Sequence, residues 1–149
     1  MVTYITESAK ETQALGRRLA TELRPGDVLL LTGDLGAGKT QLVKGIASVL
    51  GITEAITSPT FNLMLEYRGG DGELLRHFDL YRLESPEQLE DIDYFGLLEA
   101  GDAVSVVEWG DKFPEALPVC YRLVRFSILT QDMREIVVED IGKPGESDG

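Results

Sequence analysis

Cysteine is nearly absent from this chain of 149 residues: Cys120 stands alone. A single thiol excludes an internal disulfide and any metal cage built from several cysteines. Because free cysteines are mostly buried, Cys120 reads as a small core residue on a strand rather than as a nucleophile. Long apolar runs are missing as well. No stretch approaches the roughly 18 consecutive apolar residues that a membrane span needs, so no transmembrane helix is expected. The opening residues, Met1-Val2-Thr3-Tyr4-Ile5-Thr6-Glu7, lack a basic region followed by an apolar one. No secretory signal is therefore expected, and the cytoplasm is the expected compartment.

Basic residues are also scarce, with 14 Lys and Arg against 26 Asp and Glu for a net charge of −12. Neutralising nucleic-acid phosphates takes clustered Lys and Arg, so extensive direct contact with an RNA or DNA backbone is disfavoured. Any role with RNA should be indirect. The acidity either serves solubility alone or faces a basic protein partner. No internal repeat or interior low-complexity tract is present. The length suits one domain, expected over residues 1–141, with a polar, disordered tail over 142–149.

What the chain does contain is an alternation of strand and helix signals. Val2 to Ile5 reads as a strand. Ser8-Ala9-Lys10-Glu11 is a capping box opening a helix with Leu15, Leu19 and Leu23 on one face, ended by Pro25-Gly26. Val28 to Leu31 is a continuous apolar run of the kind buried on both faces. Lys39 to Leu50 reads as a helix stopped by Gly51. Leu63 to Tyr67 and Leu74 to Phe78, separated by Arg68-Gly69-Gly70-Asp71-Gly72, predict an antiparallel hairpin. Ser85-Pro86-Glu87-Gln88 combines an N-cap, a first-turn proline and a Gln at the third position, which predicts a helix from here to about Asp91. Ala103 to Val107 is a second apolar run, and Val119 to Leu129 with Glu135 to Val138 predict a terminal hairpin. The expected class is α/β, a central mixed sheet with a parallel core and antiparallel hairpins, flanked by helices.

Between the first apolar run and the next helix lies Gly33-Asp34-Leu35-Gly36-Ala37-Gly38-Lys39-Thr40, which satisfies G-x-x-x-x-G-K-S/T in the context that motif requires. Glycines at 33, 36 and 38 let backbone N–H groups turn inward around phosphate oxygens, at a helix N-terminus already favourable to anions. Lys39 would reach the β- and γ-phosphates, and Thr40 would place its hydroxyl on Mg²⁺. Gln41 follows in the same turn as a further contact. The expected ligands are ATP and Mg²⁺.

Mg²⁺ held by a hydroxyl and phosphates still wants a carboxylate, commonly at the end of a neighbouring buried strand. Glu108 closes Ala103-Val104-Ser105-Val106-Val107 and is the Walker B candidate, against the alternative of an ordinary strand-end acid. Asp79, in His77-Phe78-Asp79-Leu80-Tyr81-Arg82, is a candidate for orienting the attacking water or touching the metal through water. His77 reads as a half-buried structural histidine more readily than as a catalyst. Arg82 either pairs with an acid, meets phosphate charge or makes a surface ion pair. Trp109 either sits beside the nucleotide or packs. Ser58-Pro59-Thr60-Phe61 is either a switch segment sensing the γ-phosphate, with Thr60 as the contact, or a strand-entry turn.

The P-loop, Ser58-Pro59-Thr60-Phe61, His77-Phe78-Asp79-Leu80-Tyr81-Arg82-Leu83 and Val107-Glu108-Trp109, in this order and spacing, resemble the bacterial TsaE (YjeE) family over about residues 3 to 140. The resemblance implies the P-loop NTPase fold and a small cytoplasmic ATPase. Its work would support formation of N6-threonylcarbamoyladenosine at position 37 of tRNAs reading codons that begin with A. It also implies TsaD and TsaB as partners, tRNA only indirectly, no membrane, and a monomer or weak self-association alone. Carried over by residue, Lys39 and Thr40 hold phosphate and Mg²⁺, Glu108 is the metal-binding acid and Asp79 the catalytic aspartate. Ser8 and Ala9, where the first helix begins, and Arg134 in the last hairpin become nucleotide contacts. Two other readings remain on the residues alone: a small-molecule kinase, for which no Arg-rich lid is found, and a non-hydrolysing module that uses nucleotide to dock a partner.

Overall fold

The chain runs β1 (Val2–Thr6), α1 (Ala9–Ala20), β2 (Val28–Thr32), α2 (Lys39–Val49), β3 (Met64–Arg68), β4 (Leu74–Asp79), α3 (Gln88–Asp91), α4 (Tyr94–Glu99), β5 (Val104–Glu108), β6 (Tyr121–Ile128) and β7 (Arg134–Ile141). Short 3-10 turns at Gly110–Lys112 and Pro114–Ala116 precede β6. The computed structural model describes residues 1–34, 36–57 and 63–142. Leu35, the Ser58-Pro59-Thr60-Phe61 segment and the expected tail beyond Gly142 lie outside the described residues. Among the described residues no helix is long and apolar enough to cross a membrane.

The strands form one sheet in the order β1-β7-β6-β2-β5-β4-β3. The centre β6-β2-β5-β4 is parallel, and β3, β7 and β1 join antiparallel. This is the expected α/β architecture, and the pairing of β1 with β7 adds a long-range contact that no local pattern announced. The period-2 geometry of strands sorts the apolar run of β2 onto both faces. Leu29 and Leu31 join a core with α1 and α2, while Val28 and Leu30 join a second core with Leu89 of α3 and Tyr94 of α4. Burying each such side chain contributes about 1.5–3 kcal/mol relative to leaving it in water.

Helices α1 and α2 touch through glycine. A Cβ at Gly16 would stand 2.2 Å from the Leu42 carbonyl oxygen, and one at Gly45 would stand 2.0 Å from that of Gln13. Any larger residue would force the helices apart. The neighbouring contacts, Thr12 with Gly38 and Gln13 with Gln41, run in the same order along both helices. The two helices therefore lie side by side with their N-termini at one end, above the carboxyl ends of the parallel strands.

Several local expectations are corrected. The helix expected at Ser85 begins at Gln88, because its opening residues are bonded three apart, Gln88 N–H to the Ser85 carbonyl and Leu89 N–H to that of Pro86. Only the reciprocal half of the capping box forms among the described residues: Gln88 Oε1 accepts from Glu84 N–H at 2.6 Å and Ser85 N–H at 3.2 Å, while Gln88 N–H bonds the Ser85 backbone carbonyl rather than its side chain. Leu23 lies beyond the end of α1, where Leu23 N–H reaches back only to the Ala20 carbonyl, yet it still packs on the α1/α2 core. Cys120 is only partly buried, ahead of β6, with its thiol against the Gly142 carbonyl. Helix α4 was not foreseen, since Asp93 at its N-terminus makes no side-chain cap.

Candidate functional site

Where β2 ends and α2 begins, the Gly-rich loop turns through left-handed backbone at Gly33 (φ 137°), Gly36 (φ 80°) and Gly38 (φ 102°). Residues with a Cβ rarely adopt these values, which is why glycine stands at each. Gly33 has a second reason: a Cβ there would meet the Phe126 carbonyl oxygen at 2.8 Å. The turn delivers the first N–H groups of α2, which have no intrahelical partner, to the mouth of a cavity of about 460 Å³. Gly36, Gly38, Lys39, Thr40 and Gln41 line it. The N-terminus of α1 faces the same space through Ser8, Ala9 and Thr12. Ser8 Oγ accepts from Glu11 N–H at 3.1 Å, and Glu11 Oε1 accepts from Glu7 N–H at 2.8 Å, so α1 is capped at this end. Two helix N-termini converging on one cavity make it a place for anions.

The opposite wall is acidic. β4 and β5 are parallel with Asp79 directly opposite Glu108, so both strand-end acids emerge side by side. Both are buried, and both line the cavity. Asp79 Oδ1 accepts from Tyr81 N–H at 3.0 Å, which fixes the carboxylate in its own turn. Lys39 is buried between the walls: its Nζ donates to the Gly33 carbonyl at 2.8 Å and stands 3.6 Å from Glu108 Oε1. The other carboxylate oxygen of Glu108 is 2.5 Å from His77 Nε2. Burial alone would raise the Glu108 carboxyl; the His77 hydrogen bond and the charges of His77 and Lys39 outweigh it and hold the group below its ordinary value. His77 is fully buried, rather than half-buried as its sequence position suggested.

Trp109 follows Glu108 in left-handed backbone (φ 62°), an uncommon conformation for a bulky residue. It places the indole 5.1 Å from Lys39 Nζ and 5.0 Å from the Tyr81 ring, at the cavity wall. Lys112, in the 3-10 turn beyond it, donates to the carbonyls of Tyr81 (2.6 Å) and Leu83 (2.7 Å) and so ties the loop after β5 to the turn after Asp79. From the last hairpin, Arg134 Nη1 donates to the carbonyls of Thr130, Gln131 and Met133 at 2.9–3.1 Å, and Nη2 to Gly36 at 3.3 Å. Arg134 thus shapes the hairpin turn and ties it to the Gly-rich loop.

The sequence-named residues mostly meet. Ser8, Ala9, Gly36, Gly38, Lys39, Thr40, Gln41, Asp79, Glu108, Trp109 and Arg134 line one cavity. Gly33 contributes its carbonyl beneath Lys39, Ala37 packs into the α1/α2 core, and Asp34 is exposed with its carbonyl accepting from Ala37 N–H. Leu35 and Thr60 lie outside the described residues. Arg82 is exposed and not among the cavity's described lining. Thr12, Gln131 and Asp132 also line the cavity. Thr12 was foreseeable from its place one turn into a capped helix; the other two depend on the fold of the last hairpin.

A hydroxyl (Thr40) and a carboxylate (Glu108) lining the same cavity are hard oxygen donors that suit Mg²⁺. Among the described residues no three His, Cys, Asp or Glu side chains are arranged to hold a metal by themselves. A cation here would draw its remaining ligands from phosphate and water, the usual habit of Mg²⁺.

Known proteins resemble this chain in sequence and in fold. The family model "Threonylcarbamoyl adenosine biosynthesis protein TsaE" matches residues 6–136. The chain is 41% identical over 141 residues to the tRNA threonylcarbamoyladenosine biosynthesis protein TsaE of Bacillus subtilis, covering 92% of this chain and 84% of that one. It is 41% identical over 136 residues to the protein of that name from Treponema pallidum, covering 90% and 97%. The Streptomyces coelicolor counterpart is 47% identical over 105 residues, covering 69% and 70%. The crystal structure of Bacillus subtilis YdiB superposes with a TM-score of 0.75 at 34% identity, over 95% of this chain and 86% of that one.

Proposed function

The chain belongs to the TsaE family of threonylcarbamoyl adenosine biosynthesis proteins, and we propose that it is a P-loop ATPase that hydrolyses Mg²⁺-bound ATP in support of a tRNA-modifying complex. The complex is one with TsaD and TsaB, in which tRNA meets this chain only indirectly, consistent with its net charge of −12. The cytoplasm is its compartment, and the isolated chain is a monomer or associates weakly. The observation that carries the reading is the meeting of Lys39, Asp79 and Glu108 under the Gly-rich loop.

Each residue has work set by its position. The backbone N–H groups of the loop and of α2 bind the phosphates, with the α1 terminus at Ser8 and Ala9 facing the same nucleotide. Lys39 leaves the Gly33 carbonyl and Glu108 for the phosphates, exchanging one set of acceptors for another. Thr40 and Glu108 hold the cation, which when bound neutralises charge building on the phosphate oxygens. Asp79 lies beside Glu108 and orients the attacking water or takes its proton. Trp109 walls off this end of the cavity.

Phosphate release by the chain together with TsaD and TsaB tests the reading. Glu108→Ala and Asp79→Ala are each expected to lower the rate by about 100-fold or more. Unchanged rates, or phosphate found on a nucleoside or sugar instead of free in solution, would overturn it.

A further inference from the structure

His77 has no task in hydrolysis as described above, and its placement is physically expensive. It sits on β4 two residues before Asp79, with none of its surface exposed, on the face of the sheet that carries Leu75 of its own strand and Val106 of β5 into the core beneath α2. Nε2 meets Glu108 Oε2 at 2.5 Å, while Nδ1 has no hydrogen-bond partner among the described residues. Burying an imidazole with one nitrogen unsatisfied costs more than an apolar side chain of similar shape would. The compensation is on Glu108. That carboxylate is itself only 5% exposed, and its partners among the described residues are His77 and Lys39.

We propose that His77 is a positioning residue, holding Glu108 by Oε2 so that Oε1 is the oxygen presented to the cation of a Mg²⁺-nucleotide. The inference rests on the reading of Glu108 given under Proposed function. An ionised carboxylate only accepts, so the shared proton sits on Nε2. Lys39 is a movable partner, already shared with the Gly33 carbonyl and drawn away when phosphate arrives. His77 is a fixed one, on a central strand of the sheet and packed on all sides. It therefore keeps a buried charge partnered through both states and stops the carboxylate from rotating. Such partners of metal-binding groups are worth about 10- to 100-fold in metal affinity.

The test is calorimetric titration of a non-hydrolysable ATP analogue into the full chain, in EDTA and in excess MgCl₂, read as the ratio of the two affinities. Wild type is expected to bind more tightly with Mg²⁺. His77→Leu and His77→Asn are expected to lose about 10- to 100-fold of that gain. His77→Gln, whose amide nitrogen falls near the place of Nε2, is expected to recover most of it. A His77→Leu protein with the wild-type gain overturns the proposal. Should His77→Leu show no melting transition, the Gln and Asn variants decide, and equal gains in the two overturn it. A wild type with no gain, or a Glu108→Ala protein that keeps it, removes the underlying reading of Glu108 and the proposal with it.

Discussion

Replacing Gly45 by Ala adds a single methyl group, yet it should damage the site from a distance. The new Cβ would lie 2.0 Å from the Gln13 carbonyl oxygen, 2.9 Å from its carbon and 3.0 Å from Arg17 N. Non-bonded carbon is comfortable at roughly 3.5 Å, so α1 and α2 must part by about 1 Å or more. Overpacking of this kind costs about 1–3 kcal/mol. For a chain of this size each kcal/mol lowers the melting temperature by about 2–4 °C. The separation also withdraws Ser8, Ala9 and Thr12 from the loop at Gly36 to Thr40, across the cavity they share. Loss of one charge-assisted hydrogen bond to a phosphate would weaken nucleotide binding by about tenfold or more. Thermal melts and calorimetric titration with ATP measure both effects. Gly70→Ala is the control: nothing lies within 4 Å of its would-be Cβ. A Gly45→Ala protein that melts within about 1 °C of wild type and binds ATP equally well would refute the reasoning.

Two further outcomes are expected. Arg76, buried, donates to Asp102 at 2.7 and 3.0 Å and holds that carboxyl below its ordinary value of 3.8. The folded value is the lower one, so the stabilisation is present above 3.8 and is lost as pH falls through the folded value. In urea titrations Asp102→Asn should therefore lie furthest below wild type near neutrality and converge with it in acid; a gap independent of pH would contradict this. Lys112→Met removes the tie between the loop bearing Trp109 and the turn after Asp79. Phosphate release should drop by about 10- to 100-fold through misplacement of the acid, with ATP affinity measured by calorimetry little changed.

The parts of this molecule that could be read from its residues are those in which local chemistry decides. The run Val28 to Leu31, the glycines of the loop and the helix beginning at Lys39 form one contiguous unit, and Glu108 ends an apolar run that could only be a buried strand. What could not be read depends on residues far apart in the chain. Nothing near Gly16 or Gly45 marks them as the crossing of two helices, because the clash that forbids a side chain comes from the other helix. The burial of His77 and its contact with Glu108, 31 residues away, follow from the place of β4 between β5 and β3 in the sheet. Gln131 and Asp132 reach the cavity because β7 runs between β6 and β1. The helix at Ser85 was located by its cap but begins three residues later, since capping fixes where a chain turns and not how many residues the first turn takes. Cys120 fails as a core residue because it falls just ahead of its strand.

Direct titration of ATP with Mg²⁺ into the wild-type chain and into Lys39→Ala tests the central claim, that the Gly33 to Thr40 loop with Glu108 and Asp79 is a triphosphate site. Wild type should bind one ATP per chain, and removal of the lysine should weaken binding by about 30-fold or more, the consequence of losing one partner of a buried charge pair. No binding by wild type, or equal affinity in the two proteins, would contradict it.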